Sequence, residues 1–391
     1  MKMDRADLKD LDKSTWSTFR FDQIASSISE RVDPNETDLK HYIGLEHLDS
    51  ENIHITRMGT PDDVNGQKLR CYPGDVIFGR RRAYQRKAAV CEVNGFCSAH
   101  SLVLRANPHV IDPKLFPFFL HSDSFMHRAV DISVGSLSPT INWKTLREQE
   151  FLLPPKSQQA DLIELLWAID VVIEKAFFLN SSLISNTKAL LENFIIERSS
   201  GDSSKLGEVG DWVSGGTPSK KEKAFWENQE ILWITPKDMK ADILDDSIDK
   251  LSCSAITNGK AKLFPKGSTV LVWRSGILQH SFPIARVGSD FTVNQDMKVF
   301  VPASTEFLGE YVRIYLTIFK EKLRRDCVKE GTTVQSVNTS VFMKQSIPKL
   351  PLPIQRELIE IENKCYESIQ ACSRQLDSSR SLKKSLINQV F

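Results

Sequence analysis

Two long stretches of the chain place apolar residues at alternating steps of four and three, which is the heptad pattern of a coiled-coil helix. The first stretch starts after Pro154-Pro155 and stops before Ser199-Ser200-Gly201. We expect a helix of roughly 35 residues, about 50 Å long, at this place. Its predicted seam consists of Leu162, Leu166, Ile169, Ile173, Ala176, Asn180, Leu183, Thr187, Leu190 and Phe194.

The second stretch has similar spacing but more small residues, which would let another backbone approach closely. Because one such helix alone is marginal in water, we expect the two helices to pack against each other. The globular segment between them must bring the chain back, so an antiparallel pair is predicted, with a globular domain at each end of a rigid rod. The second predicted seam consists of Leu358, Ile361, Cys365, Ile369, Cys372, Leu376, Ser379, Leu382, Leu386 and Val390.

Asn180 lies in the middle of the first seam. A polar residue buried at such a position costs stability but can fix the register of the two helices. Alternatively, Asn180 lies at an ordinary surface turn of the helix. The pattern alone leaves both interpretations open.

The rest of the chain has the pattern of two mixed globular segments. Short β-rich runs separated by Gly, Pro and Asn turns predict strands, and a helix follows them in each segment. Tyr42-Ile43 and Trp233-Ile234 occupy comparable positions in the two segments. The predicted strands and helix are residues 75–78, 88–90, 102–104 and 113–130 in the first segment, and residues 231–234, 269–273, 298–301 and 308–323 in the second.

An internal repeat spans the chain. The stretch that begins at Gly135 is repeated from Gly331, 196 residues further on, and Gln159 falls on Gln355 under this offset. Twice this offset is almost the whole length of 391 residues. Two copies are too few for a solenoid, so the repeat predicts a molecule with pseudo-two-fold symmetry. Such a molecule suits a target that itself has two halves.

The patterns together predict an α+β fold: two mixed α/β domains separated by a pair of long antiparallel coiled-coil helices, in a pseudo-two-fold internal repeat. The first domain is expected at residues 1–155 and the first helix at residues 156–200. The second domain is expected at residues 201–350 and the second helix at residues 351–391.

Composition is that of an ordinary soluble protein, with 41% hydrophobic and 26% charged residues. The seven cysteines are scattered without a C-x-x-C pair, which argues against a zinc site or a disulfide framework and favours a cytoplasmic location. The N-terminal residues alternate in charge and do not resemble a signal peptide. No run of about 18 apolar residues occurs, so no membrane-spanning helix is expected.

The net charge of +1 says little about partners, but its distribution says more. Val76–Ile111 contains Glu92 as its only acidic residue, and Lys250–Ser289 contains none. One such basic window could simply be a solvated face. Its recurrence at a similar place in both copies favours a polyanionic partner. The basic residues in the two windows are Arg80, Arg81, Arg82, Arg86, Lys87 and Arg105, then Lys250, Lys260, Lys262, Lys266, Arg274 and Arg286.

Motifs for catalysis are missing from the sequence. Neither G-x-G-x-x-G nor the P-loop pattern occurs, and the eight histidines form no metal-binding spacing. Residues 153–156 lack the polar first and aromatic last residues of a methyltransferase loop and are better interpreted as a proline entry to the helix. Residues 362–364 match a nuclease E-x-K only by chance spacing on the predicted helix. The sequence thus favours a non-catalytic chain.

Binding chemistry remains. Residues 78–87 follow a predicted strand with guanidinium, aromatic and amide groups, which can contact bases and phosphates, and residues 273–280 occupy the equivalent place in the second copy. The turns that begin at Gly135 and Gly331 offer hydroxyls and amides for phosphate contact, or are ordinary hydroxyl-rich turns. The candidate DNA-binding residues are Arg80, Arg81, Arg82, Tyr84, Gln85, Arg86, Lys87, Ser136, Ser138, Lys220, Lys221, Lys237, Arg274, Ser275, Gln279, His280, Thr332, Thr333 and Gln335.

Several of these segments resemble the specificity subunits of Type I restriction–modification systems. Residues 214–219 (SGGTPS), 236–239 (PKDM), 262–268 (KLFPKGS) and the LPLPIQ helix entry at residues 350–355 resemble a target recognition domain of that family. The order of the motifs, found twice, makes the resemblance specific. It covers nearly everything from about Trp16 to Phe391.

The first copy departs from this pattern at its start, where residues 28–38 replace the GGTPS turn. It rejoins at residues 72–78 (YPGDVIF) and at the blocks around Gly135 and Pro154-Pro155. The departure concerns the part of each domain that would read DNA.

The resemblance implies a non-catalytic subunit that reads a bipartite double-stranded DNA sequence, with one recognition domain for each half. Its helices would set the spacing and dock two methyltransferase subunits, and restriction/translocase subunits would join them. S-adenosylmethionine, ATP and Mg²⁺ would bind to those partners, with no cofactor on this chain. Two similar helices would present similar surfaces to two identical partners. The implied spacer and docking residues are Leu162, Leu166, Ile169, Ile173, Asn180, Leu183, Leu190, Leu358, Ile361, Ile369, Leu376 and Leu386.

Two other functions stay open at this point. One is a stand-alone regulator with two sequence-specific DNA-binding domains, which would bind tightly without any partner. The other is an enzyme with a cryptic nuclease or methyltransferase centre. Finding a methyltransferase reading frame next to that of this chain would argue against the first, and a test of methyl transfer by the purified chain alone would decide the second.

Overall fold

A computed structural model describes residues 11–303, 305–329 and 334–391 of the chain. The chain divides into two compact units. The first unit comprises the described residues up to Phe178 together with Ser373–Phe391, and the second comprises those of Leu179–Cys372.

The first unit contains ten strands and the start of a long helix. Its strands are β1 (Ser17–Arg20), β2 (Ala25–Ile28), β3 (Arg31–Val32), β4 (Tyr42–Ile43), β5 (Lys68–Cys71), β6 (Val76–Gly79), β7 (Ala88–Val90), β8 (Gly95–Cys97), β9 (Ser101–Ala106) and β10 (Glu150–Leu153). Its helices are α1 (Phe21–Ile24), α2 (Phe116–His121), α3 (Asp123–Asp131), α4 (Trp143–Leu146) and α5 (Lys156–Arg198), the last of which continues into the second unit.

Two four-stranded sheets form the body of this unit. The first has the order β2-β9-β6-β7 with all neighbours antiparallel, and the second has the order β3-β5-β8-β4 with β4 and β8 parallel. β1 pairs antiparallel with β10, the strand that leads into α5. Every residue of β6 is buried, because this strand lies in the interior of its sheet and is covered on both faces.

The predicted helix at residues 113–130 is in fact two helices, α2 and α3. They are separated at Ser122, whose backbone is extended and whose Oγ accepts a hydrogen bond from Phe125 N. A serine that caps α3 in this way interrupts a hydrophobic pattern that on its own favours one continuous helix.

The second unit contains twelve strands. They are β11 (Ser203–Lys205), β12 (Gly210–Val213), β13 (Ile231–Ile234), β14 (Ile243–Leu244), β15 (Asp249–Leu251), β16 (Thr269–Val272), β17 (Ile284–Val287), β18 (Phe291–Val293), β19 (Met297–Pro302), β20 (Val328–Lys329), β21 (Ser336–Val337) and β22 (Ser346–Pro348). Its helices are α6 (Cys253–Thr257), α7 (Gly309–Ile318), α8 (Lys320–Cys327), α9 (Thr339–Met343) and α10 (Leu352–Val390), the last of which continues into the first unit.

The two units share one sheet plan. In the second unit a five-stranded sheet has the order β12-β19-β16-β17-β14, and a three-stranded sheet has the order β15-β13-β18. The parallel pair of β13 with β18 corresponds to that of β4 with β8, and β11 pairs with β22 as β1 pairs with β10. Tyr42-Ile43 and Trp233-Ile234 therefore occupy the same place in their sheets, as the sequence predicts.

A buried glutamine repeats atom for atom in the two units. Gln159 accepts from Asp112 N (2.7 Å) and donates through Nε2 to the carbonyls of Val110 and Pro154. Gln355 makes the same three hydrogen bonds, and all its partners lie 196 residues further along: Leu308 N, Glu306 O and Leu350 O. Each amide satisfies buried backbone groups at the start of a long helix, so the sequence repeat is a structural repeat.

In each unit the two long helices pack antiparallel. In the first unit Leu162 and Leu166 share a hydrophobic core with Ile387 and Val390. In the second unit Leu191 and Ile195 of α5 share a core with Leu358 of α10, and Arg198 lies 4.0 Å from Glu357. Residue numbers rise along α5 as they fall along α10, which confirms the predicted pairing.

The predicted seam is wrong near the C-terminal part of each helix. Leu190 is 49% exposed, and Leu191 is buried in its place. Leu382 is 52% exposed, and Lys383 is buried in its place. A straight helix has 3.6 residues per turn, so a strict 3.5-residue pattern drifts by about 20° per heptad, and the buried face moves on by one residue.

The other predicted seam residues lie on the paired faces. Asn180 is half-buried, which agrees with a place at the edge of the seam. Leu162, Leu166, Ile173, Leu358 and Leu376 are buried, and Ile169, Leu183, Ile361, Ile369 and Leu386 are half-buried. Among the described residues, no helix combines the length with the apolar character that a bilayer crossing requires.

Candidate nucleic-acid interface

The arginine-rich segment of the first unit forms a tight turn at the end of β6. A single 3₁₀ turn, Ala83–Gln85, is flanked by Arg82 and Arg86, both in the left-handed region with φ of 58° and 52°. Arg81 and Arg82 are exposed, and Tyr84 is 56% exposed. The turn therefore presents two guanidinium groups and an aromatic ring to solvent.

The structure brings this turn together with the hydroxyl-rich turn that follows Gly135. Nε of Arg81 donates to Ser138 Oγ at 3.0 Å, and Nε of Arg82 donates to the same oxygen at 3.1 Å. The backbone N–H of Arg82 donates to Pro139 O. Among the described residues, no carboxylate pairs with Arg81 or Arg82. Two segments selected separately from the sequence thus form one cationic surface.

The second unit repeats this juxtaposition with different side chains. Val337 N donates to Trp273 O at 2.9 Å, as Ile141 N donates to Arg80 O at 2.9 Å in the first unit. Ser275 N donates to Gln335 O, and Arg274 is bridged to Ser336. Arg274 thus occupies the place of Arg81.

The local field at the first surface is positive. Burial and then the charges of Arg81 and Arg80 lower the pKa of His100, a residue that the sequence does not single out. A neutral histidine at this position keeps an unprotonated nitrogen available as an acceptor for a base amino group. Only its spatial proximity to the arginines reveals His100.

Two of the predicted DNA-binding cations, Arg86 and Lys87, bind to groups within the first unit itself. The Arg86 guanidinium lies between Glu51 (3.0 Å) and Asp123 (2.7 Å), and its side chain is 15% exposed. The ammonium of Lys87 donates to Leu45 O at 2.7 Å. Both groups are held by the protein, so the structure does not place them with Arg81 and Arg82 on the open surface.

The other candidates are spread over both units. Ser136, Lys221, Lys237, Gln279 and His280 are exposed, and Arg80, Gln85 and Ser275 are half-buried. The Lys220 ammonium lies 5.5 Å from the centre of the Trp226 ring. Thr332 and Thr333 lie outside the described residues.

The SGGTPS turn is fixed by close backbone packing. A Cβ on Gly215 would meet Val293 O at 1.9 Å, so no other residue fits there. Gly216 N donates to the same carbonyl, and the Trp233 indole N–H donates to Gly216 O. This packing leaves Thr217 and the lysines after it at the surface.

The first unit contains a buried charged cluster that the sequence does not predict. Asp170 of α5 is buried, and its carboxylate lies 2.8 Å from the Lys383 ammonium of α10 and 2.5 Å from His54 Nε2. His54, Asp170 and Glu174 lie close enough together to share a metal ion. The charge of the Asp170 carboxylate is already neutralised by the Lys383 ammonium. The simplest function of the cluster is therefore to hold residues 49–54 against the helices.

Mutual hydrogen bonding shifts both titrations in this cluster. The hydrogen bond to Asp170 raises the pKa of His54, although burial opposes it. Burial alone would raise the pKa of Asp170, but His54 and Lys383 outweigh it and lower that pKa. Burial lowers the pKa of the nearby His121 to about 4.

These shifts predict a loss of stability of the first unit as the pH rises above neutrality. A raised folded pKa means that the His54 contribution is complete below its ordinary pKa of about 6.5 and disappears as the pH passes the folded value. The folded pKa of His121 is lowered, so this residue reduces the stability of the unit only as the pH falls below about 6.5. We expect the unfolding temperature of the chain to fall by a few degrees as the pH rises from about 6.5 past the raised pKa of His54.

The His54→Gln variant should lose most of this slope, whereas His127→Gln, a substitution of an exposed histidine on α3, should keep it. Differential scanning calorimetry over this pH range measures both. A slope that persists unchanged in His54→Gln would show that the cluster does not titrate as described.

The sequence of the chain is similar to those of known DNA specificity proteins. Residues 201–372 match the family profile described as Type I restriction modification DNA specificity domain. The chain is similar to the EcoR124I/EcoR124II specificity subunit of Escherichia coli, with 36% identity over 159 residues, which is 41% of this chain and 39% of that protein. It is also similar to the MjaIX specificity subunit of Methanocaldococcus jannaschii, with 28% identity over 164 residues, 40% of this chain and 36% of that protein. The matched segment spans about two-fifths of the length of these relatives.

Two solved structures share the fold over almost the whole chain. A chain from a study of complex assembly and conformational transition of the type I R-M system covers 96% of this chain and is itself covered to 97%, with a TM-score of 0.60 and 17% identity. The S subunit of the Type I restriction–modification system of M. genitalium covers 97%, is covered to 97%, and has a TM-score of 0.53 and 14% identity.

The fold defines a protein of two α/β units with one sheet plan, in each of which parts of the two long helices pair. More particularly, residues 201–372 match the DNA specificity domain of Type I restriction–modification systems, and the curated relatives that the chain resembles are specificity subunits of such systems. The resemblance noted in the sequence is confirmed.

Proposed function

We propose that the chain is the non-catalytic DNA-sequence specificity subunit of a Type I restriction–modification complex and reads a bipartite double-stranded site. The observation that carries the proposal is the repeated surface. In each unit a turn after an interior strand lies against a hydroxyl- or amide-bearing turn: Arg81 and Arg82 on Ser138, and Arg274-Ser275 beside Gln335. Guanidinium groups next to hydroxyls and backbone amides suit phosphate and base-edge contacts.

The two surfaces have the same frame but different side chains, which supports different half-sites. Arg80 and Trp273 make the same backbone hydrogen bond, yet one carries a guanidinium and the other a buried indole. We assign residues 1–155 and 201–350 to the two recognition domains. The helical segments 156–200 and 351–391 serve as the spacer.

Docking of two methyltransferase subunits, with restriction/translocase subunits added, is part of the proposal. An apolar patch of α5 supports it: Val171, Val172 and Phe177 are 42–51% exposed, and Phe178 is 73% exposed. Val171 and Phe178 are seven residues apart and therefore lie on one face of the helix, and exposed apolar groups of this kind suit an interaction site. We assign this α5 patch to a partner subunit.

The equivalent positions of α10, 196 residues further on, carry polar or charged side chains. They are Glu367, Ser368, Ser373 and Arg374. Similar helix surfaces for two identical partners, as the family resemblance implies, are therefore not present at this patch. We propose that the apolar contact on α5 is made by one methyltransferase subunit only.

Catalysis and its cofactors belong to the partner subunits in this proposal. The sequence offers no glycine-rich phosphate loop and no methyltransferase loop on which S-adenosylmethionine, ATP or Mg²⁺ would act. The proposed work of the chain is to bind DNA and to hold the partners at a fixed spacing on it.

Reconstitution tests the proposal. The purified chain is expected to transfer no methyl group to DNA by itself, and the purified methyltransferase subunit is expected to show at most residual activity without the chain. Together they should methylate a duplex that contains the target, at a rate at least about a hundredfold higher, because only the chain positions the target base. Radiolabel incorporation from S-adenosylmethionine measures all three.

Two outcomes would contradict the proposal. Methyl transfer by the chain alone would reveal a cryptic enzyme. Tight sequence-specific binding by the chain, with no response of the methyltransferase subunit, would favour a stand-alone regulator.

A further inference from the structure

We propose that the C-terminal end of α10 positions the DNA-reading turn of the first unit through Arg86, and that Asn388 and Lys384 are positioning residues for the first half-site. The inference rests on the proposed function. It concerns how the turn that carries Arg81 and Arg82 is held.

The turn has a backbone that needs external support. Arg82 and Arg86, on either side of the 3₁₀ turn, both have positive φ, at 58° and 52°. A left-handed backbone is unfavourable for a residue other than glycine, so it persists only where the surroundings impose it. The backbone of Arg82 is held by Pro139 O, and the other end of the turn needs its own anchor.

Arg86 supplies that anchor. Its guanidinium pairs with Glu51 (3.0 Å) and Asp123 (2.7 Å), and its third contact is the carbonyl of His121 at 2.6 Å. The backbone carbonyl of Arg86 also accepts from Glu51 N at 3.0 Å. Side chain and main chain are therefore both tied to neighbouring segments, which fixes where the turn ends.

Both carboxylates that hold Arg86 are themselves held by α10. The Lys384 ammonium lies 2.6 Å from Glu51. Asn388 donates to the Asp123 carboxylate at 2.7 Å and accepts from Asp123 N at 2.8 Å. A continuous chain of contacts thus runs from α10 through two acids to the arginine turn: Lys384 and Asn388 hydrogen-bond to the acids, and the acids form ion pairs with the Arg86 guanidinium. We call this set, Arg86, Glu51, Asp123, Lys384 and Asn388, the Arg86 cross-link.

The described residues of the second unit contain no counterpart of the Arg86 cross-link. Counted from Arg274, which occupies the place of Arg81, the position equivalent to Arg86 is Gln279, the last residue of the 3₁₀ turn Gly276–Gln279. Its carbonyl accepts from Arg324 Nη1 at 2.8 Å. Since the anchor is confined to the first unit, changes in it should affect one half-site and leave the other unchanged.

Competition binding with the full-length chain tests this. The probes are a duplex with the complete recognition site, one with the first half-site scrambled and one with the second scrambled; the first half-site is the one at which Arg81→Ala lowers affinity. Asn388→Ala should reduce discrimination at the first half-site about tenfold and leave discrimination at the second within about twofold. Gln389→Ala, on the next residue of α10 and outside the cross-link, is the matched control and should change neither.

A double-mutant cycle distinguishes the proposed positioning role of Asn388 from a merely structural role. If Asn388 acts through Arg86, Asn388→Ala and Arg86→Ala should be non-additive, with the double variant no worse than Arg86→Ala alone. Unfolding temperature, measured alongside, should not track the loss of discrimination.

Equal losses at both half-sites, additive effects in the cycle, or unchanged discrimination in Asn388→Ala would overturn the inference. These results differ from failure of the proposed function, in which the unmodified chain itself discriminates neither half-site.

Discussion

Replacing Arg81 and Arg82 together with alanine is expected to weaken binding of duplex DNA roughly a hundredfold and to lower the slope of log affinity against log salt by about two. Both guanidinium groups are exposed, share one hydroxyl acceptor and lack a carboxylate partner in the part of the chain that the structure describes. Each is therefore available to neutralise a phosphate and release a counterion. Fluorescence anisotropy over a range of salt concentrations measures affinity and slope together.

Two comparisons sharpen this prediction. Arg20→Ala removes the same charge from β1, where the guanidinium is already paired with Asp22, and should change the affinity less than about twofold. Arg274→Ala should lower affinity and slope in the same way as a single change in the first unit, because Arg274 occupies the place of Arg81. If the double variant binds with unchanged affinity and slope, the surface is only a solvated basic face.

Inserting four residues next to Asn180 is expected to change the number of base pairs between the two half-sites, or to abolish binding, while the half-site sequences stay the same. Four helical residues add about 6 Å to α5, close to the rise of two base pairs. Because α10 pairs with α5, it must be lengthened by the same amount. A second variant therefore carries a further four-residue insertion next to Leu376, the equivalent position of α10. Selection of bound sequences from a library of duplexes with variable spacers measures the effect.

A four-residue insertion after Gly259 is the matched control for the spacer. Gly259 is exposed and lies in a turn with φ of 64° that follows α6, so the added residues lengthen a surface loop and should leave the spacer unchanged. Finding the original spacing with the insertions next to Asn180 and Leu376 would contradict the idea that the helices act as a ruler.

Much of the fold could be predicted because its determinants are periodic or repeated. The heptad spacing locates α5 and α10, and the alignment of Gln159 with Gln355 marks a hydrogen-bond arrangement that the structure shows twice. What periodicity misses is local chemistry. Ser122 ends α2 by capping α3, and the buried seam passes to Leu191 because a helix does not keep a 3.5-residue repeat.

The candidate site could be predicted only as a segment. Five cations within residues 80–87 are alike in sequence, but the left-handed backbone at Arg82 and Arg86 turns Arg81 and Arg82 outward and Arg86 inward. The acids that hold Arg86 lie 35 residues upstream and 37 downstream, at Glu51 and Asp123. The sequence does not reveal the role of Asp170 for the same reason, because its partners, His54 and Lys383, are remote in sequence.

We propose that this chain alone determines which bipartite DNA sequence its complex modifies, and a genome-wide map of DNA methylation decides whether it does. Genomic DNA is sequenced from cells that carry the methyltransferase subunit with the chain, without it, and with a chain whose residues 80–87 are altered. We predict one motif of two short blocks separated by a fixed number of unspecified base pairs, lost without the chain and changed in one block only by the altered turn. A methylated motif that is the same with and without the chain would contradict the claim.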